Sequence, residues 1–138
     1  MPRPKGHRVE KARARIYLGK ANEFLAAART ARDAQQSDAA LLLAIHAGLS
    51  ACDAVTVALA GVRSTDPDHL RAADLLETVA SGSSEVRERA DQLRGLLKMK
   101  NLVEYEDRRV SSKEAEAGAK RAERLGGWAT AQLERARV

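Results

Sequence analysis

A single cysteine, Cys52, is all the chain of 138 residues contains, so no intramolecular disulfide is available to staple it. Cys52 lies in an apolar run and reads as a buried structural thiol. Only three prolines occur, two of them within the first four residues, and aromatics are limited to Tyr17, Phe24, Tyr105 and Trp128. No segment alternates apolar and polar residues over strand length, which leaves no strand pattern to assemble into a sheet. No signal peptide opens the sequence and no uninterrupted apolar stretch is long enough to span a bilayer, so the expectation is a cytoplasmic protein without a membrane partner.

Catalytic signatures are equally sparse. His7, His46 and His69 lie far apart, with no HExxH and no paired-cysteine spacing, so no metal site is expected. There is no glycine-rich phosphate loop, no GxSxG and no dinucleotide fingerprint, which argues against the standard cofactor enzymes and predicts no cofactor.

What the chain has in abundance is alanine, 27 residues of it, alongside leucine and valine. That mix favours helix nearly everywhere and a core in which helices approach closely. The length suits one domain with a usable core. The net charge of +5 is confined to one place. Residues 1–15 hold six basic side chains (Arg3, Lys5, Arg8, Lys11, Arg13, Arg15) against one acid, Glu10, and the remaining 18 basic and 18 acidic residues cancel. The sequence therefore divides into a basic leader, residues 1–7, expected to be flexible, and a single helical domain, residues 8–138. The basic arm could follow phosphates or an acidic partner, or stay a solvated leader.

Periodicity predicts an all-α, antiparallel bundle of about five helices. The first spans about 8–34, with Tyr17, Ala21, Phe24, Leu25 and Ala28 on one stripe. Ser37 and Asp38 are positioned to cap a second helix running to about Val62, apolar nearly all round and therefore central. The turn GVRSTDP (61–67) separates it from a short third helix over about 68–80. After a loop at 81–84, a fourth helix covers about 85–105. EDRRVSS (106–112) turns the chain, and Ser111 with Glu114 forms a capping box for a fifth helix over about 112–137.

Two polar strips interrupt this apolar pattern. On the second helix His46, Ser50 and Asp53 stand at i, i+4 and i+7. On a central helix such groups need partners, either as an interhelical hydrogen-bond network or as the wall of a polar cleft. The fourth helix carries the stripe Val86, Ala90, Leu93 and Leu97, then places Lys100, Asn101 and Glu104 where core should continue, with Tyr105 at its end. Facing strips are expected, with Asp53 as the natural counter-charge for Lys100 and His69 near one end.

These residues resemble the HEPN (higher eukaryotes and prokaryotes nucleotide-binding) superfamily over roughly residues 10–135. In one branch the fourth helix carries Arg-x-x-x-Asp-Tyr, followed by a turn and a Val-Ser-x-x-Glu-Ala helix start. Lys100, Glu104 and Tyr105 fall on the first motif, and Val110, Ser111, Glu114 and Ala115 on the second. Ala44 to Leu76 is similar to the family's second helix, its Gly-x-Arg-Ser turn and a histidine, here His69, opening the third helix. The resemblance implies a HEPN-like homodimer binding RNA, a nucleotide or a protein partner through Lys100, Asn101, Glu104, Tyr105, His46, Ser50, Asp53 and His69. It also implies, as an alternative, a metal-independent RNase toxin paired with an antitoxin-like protein, with Lys100, Tyr105 and His46 as candidate catalytic groups. Catalytic members place Arg-x4–6-His at the dimer cleft, whereas tyrosine stands at the histidine position here. A phenol is a much poorer base at neutral pH than an imidazole, and Lys100 lacks the planar fork of arginine. RNase activity of the usual kind is therefore in doubt.

Overall fold

The computed structural model describes residues 6–80 and 83–138. Helix dominates, as the composition requires. The elements are β1 (Gly6–Arg8), a 3-10 turn (Lys11–Arg13), α1 (Ala14–Asp33), α2 (Ser37–Ala60), β2 (Val62–Ser64), α3 (Arg71–Val79), α4 (Ser84–Lys98), α5 (Lys100–Glu104) and α6 (Ser112–Ala136). Because α4 and α5 abut at Met99, the molecule is an all-α bundle of five rods with a two-stranded ribbon at one end.

Helix α1 buries Ala14, Leu18, Ala21, Leu25, Ala28 and Ala31, a stripe stepping by three and four residues. Tyr17 and Phe24 flank it, half-buried. The stripe packs mainly on α2, which α6 covers from another side. Helix α2 is buried along most of its length, and two glycines let its neighbours come close. A Cβ on Gly48 would clash with Leu96 Cδ2, and one on Gly118 of α6 would lie 2.6 Å from Leu41 Cδ1. Larger side chains there would force Leu96 and Leu41 out of their present packing. Though long and apolar enough to cross a membrane, α2 has 72% of its most apolar window buried inside the bundle.

The helix ends show which local signals acted. Gly61 closes α2 in the left-handed conformation (φ 64°), donating its N–H to the Val57 carbonyl at 2.8 Å. The Ser111–Glu114 capping box opens α6 with both reciprocal bonds formed. The expected cap of α2 is different. Gln36 occupies that position without a side-chain bond, after a turn in which Gln35 is left-handed. Asp38 instead accepts the Val110 N–H at 2.9 Å and pairs with Arg109, tying the start of α2 to the turn before α6. The Val110 bond, then Arg109, hold its carboxyl below the usual range.

Two further expectations change. The fourth helix is not continuous to Tyr105, because Met99 and Leu102 donate to carbonyls three residues back, tightening the backbone between α4 and α5. The arm is not wholly loose either. Gly6–Arg8 pairs antiparallel with Val62–Ser64, His7 opposite Arg63, and Val9 N–H bonds the Gly61 carbonyl at 2.8 Å. The first helix therefore begins only after the 3-10 turn, at Ala14 rather than Arg8. The part of the expected leader at residues 1–5 lies outside the described residues.

Candidate functional site

Asp53 sits in the second half of α2, where the chain is committed to helix by its apolar neighbours and cannot turn the side chain away from the bundle. It is 7% exposed. Its counter-charge is not Lys100. Because Gly61 reverses the chain, β2 runs back beside α2 and carries Arg63 to 3.9 Å (Nε to Oδ2) from Asp53. Lys100 instead pairs with Glu104 one turn along α5, at 3.4 Å, a half-exposed contact worth a few tenths of a kcal/mol.

At 3.9 Å the Asp53–Arg63 contact is an ion pair but not a hydrogen bond. The carboxylate accepts no side-chain or backbone hydrogen bond from any described residue, and Arg63 Nε is buried without a partner among them. Burial pushes the Asp53 carboxyl up to about 7, and the attraction of Arg63 and Lys20 only partly offsets it. Tyr17 supports both cations. The Arg63 guanidinium carbon lies 5.4 Å, and Lys20 Nζ 5.6 Å, from the centre of its ring.

A pocket of about 290 Å³ opens on this pair. Leu49 and Asp53 of α2 form its floor, the segment 63–67 one wall, and His69 with Ala72 the other. Asp66 also lines it, but that carboxylate accepts the Asp68 N–H at 3.0 Å and lies 3.9 Å from Arg71 Nε. It is occupied in holding the loop. Asp53 is not.

His46 lies nearly two turns before Asp53, exposed, its ring centre 6.0 Å from that of Phe24. Partial burial lowers its proton affinity, and the nearby charges of His69 and Lys100 lower it further against the opposing Glu104. His69 thus links two half-sites: an inner one around Asp53 and Arg63, and an outer one around His46, Lys100 and Glu104. The expected meeting of the α2 strip with the end of the fourth helix occurs at His46 and Lys100, and not at Asp53. Ser50 is half-buried on the same face, and Leu49 rather than Ser50 lines the pocket. Asn101 is exposed, its backbone carbonyl accepting the Tyr105 and Glu106 N–H groups that end α5. Tyr105 is 77% exposed and outside the pocket.

Arg63, Tyr17 and Lys20 are the members that the polar strips did not reveal. Arg63 is in the Gly-x-Arg-Ser turn, and Tyr17 and Lys20 lie at i, i+3 on α1, so the signal was present as an aromatic and a cation beside the apolar stripe. Cys52 is buried and its thiol pushed up by that burial, which makes it a packing residue. Among the described residues no group of three or more His, Cys, Asp or Glu is arranged to hold a metal ion. Comparison of the chain with protein-family models, curated proteins and solved structures finds no match.

Proposed function

We propose that this chain is a HEPN-like helical module, non-catalytic or weakly catalytic, that binds a phosphate-bearing ligand, RNA or a nucleotide, at the seam between α2, α3 and α5. The observation that carries this reading is the pocket at Asp53 and Arg63, lined also by His69, whose charge, like that of Lys100, is felt at His46. The proton affinity of His46 is lowered first by burial and then by the charges of His69 and Lys100, against Glu104, and cations gathered at one place favour an anion. The arm adds to it. Arg8, Lys11 and Arg13 are exposed and form no ion pair among the described residues, and β1 fixes this charge beside Arg63.

Weak catalysis follows from Tyr105. The phenol at the end of α5 is exposed and outside the pocket, and Lys100 is engaged with Glu104. A second reading, a metal-independent RNase toxin, draws support from His46 and His69, two imidazoles close enough that the charge of His69 lowers the proton affinity of His46. The resemblance adds a homodimer to both readings and an antitoxin-like partner to the second. Fluorescence anisotropy with a labelled single-stranded RNA tests the first. Binding should weaken with salt, and a double Arg63→Ala, Lys100→Ala variant should bind at least tenfold less tightly than wild type. Unchanged affinity in that variant sinks the seam as the binding site. RNA cleavage that disappears in His46→Ala would establish the second reading instead.

A further inference from the structure

The inner half-site has a chemical shape that a phosphate alone does not fill. Asp53 is more than nine-tenths buried, lines the pocket, and keeps its carboxylate free of hydrogen bonds from described residues. Ionised, as it is above about pH 7, this carboxylate only accepts, and it offers two oxygens. Beside it stands Arg63, which only donates and whose Nε is buried and unpartnered among the described residues. The floor of the pocket is therefore a pair of acceptors next to a donor. A bound phosphate would satisfy Arg63 and clash electrostatically with Asp53.

Among the common nucleobases, one edge matches this order. Guanine presents two adjacent N–H donors, at N1 and N2, followed by the O6 acceptor. Adenine and cytosine have one amino group beside an acceptor nitrogen, and uracil has one N–H between two carbonyls, so each leaves one carboxylate oxygen unpaired. The volume of about 290 Å³ is at the lower end of ligand pockets and is enough for a base. Ser64 and Thr65 line the pocket as well and offer hydroxyls to a sugar, while Lys100 near His46 is a cation for a phosphate lying outside it.

We infer that the Asp53–Arg63 pocket is a guanine-recognition site, with the carboxylate accepting from N1–H and N2–H and the guanidinium donating to O6. This deepens the proposed binding of RNA or a nucleotide at the seam and rests on it. Asp66 does not compete for the role, since the loop already uses it.

Calorimetric titration of the whole chain with guanosine, adenosine, cytidine, uridine and inosine 5′-monophosphates, alongside a mixed-sequence single-stranded RNA, separates the two levels. The guanosine nucleotide should bind at least about tenfold more tightly than the adenosine, cytidine and uridine nucleotides, because a buried polar pair left unmatched is costly. The inosine nucleotide, which lacks only the N2 amine, should fall between, a comparison that needs no variant. Asp53→Asn should abolish the preference while the helical circular dichroism is retained, and Arg63→Gln should weaken guanosine nucleotide binding. Equal binding of all five nucleotides, binding of the RNA with none of them, or a guanine preference that survives Asp53→Asn overturns the guanine site and leaves the seam reading intact. If neither the RNA nor any nucleotide binds, both fail.

Discussion

Two arginines show how differently this bundle treats the same side chain. Arg94, on α4, donates to Glu77 at 3.0 and 3.2 Å, to Asp74 at 2.8 Å and to Asp91 at 2.9 Å. These bonds, Glu77 foremost, raise its already high proton affinity further. Arg63, on β2, has one carboxylate 3.9 Å away and a buried nitrogen with nothing bonded to it among the described residues. Arg94 gives four of its five N–H groups to carboxylates and joins α3 to α4. Arg63 is held in place by the ribbon and by Tyr17 but leaves its hydrogen-bonding capacity unused. On the proposed reading Arg94 serves the fold, whereas Arg63 is satisfied only when a ligand arrives.

The strongest way to break this comparison is to remove the charge that Arg63 faces. Asp53 ionises near 7 in the fold against an ordinary value of 3.8. A carboxylate whose folded value is raised weakens the fold as pH climbs from about 4 to 7 and contributes a constant penalty above that. Asp53→Asn should therefore stabilise the protein by up to roughly 4 kcal/mol at pH 8 and by almost nothing at pH 4. Chemical denaturation at the two pH values measures this. A destabilised variant at pH 8 would mean that Asp53 is a structural ion-pair member after all. Next in size is Arg94→Ala, expected to cost about 1–2 kcal/mol at neutral pH, since three partly exposed carboxylates lose their shared cation. Smallest is Arg63→Ala, with a stability change of no more than about 0.5 kcal/mol at pH 5, where Asp53 is mostly protonated and the pair contributes little. Removing the cation should also move the Asp53 titration, followed by carboxyl carbon NMR, above its wild-type position. Equal costs for the two arginines would erase the distinction.

The features legible in the sequence are those decided within a turn or two of helix. The Ser111–Glu114 box, the left-handed Gly61 and the stripe of α1 depend on neighbours three or four residues away, and the structure has them all. The readings that changed depend on distant chain. Asp38 has the chemistry of a helix cap, but Val110, 72 residues later, offers a competing N–H. Lys100 has the charge to pair with Asp53, but its nearest carboxylate is on its own helix, and the turn at Gly61 brings Arg63 closer. The basic arm has no strand pattern of its own. It becomes extended because β2 supplies a free edge beside it, with Gly6 where a Cβ would meet Val62 Cγ2 at 2.6 Å. Of the site, the polar residues on α2 could be seen from spacing, while their grouping into inner and outer halves required the path of the loop.

The tie between Asp38 and the Arg109–Val110 backbone has a kinetic meaning. It closes a loop of about seventy residues, and a contact of that span becomes favourable only after most of the chain between has been ordered. The helical pairs α1 with α2 and α3 with α4 are connected by short turns and can meet early. The tie is expected to act as a late latch, so Asp38→Ala should speed unfolding while the folding arm of the chevron stays nearly unchanged. A latch of this kind leaves the folding rate nearly unchanged and sets how long the two turns at that end of the bundle stay together once folded.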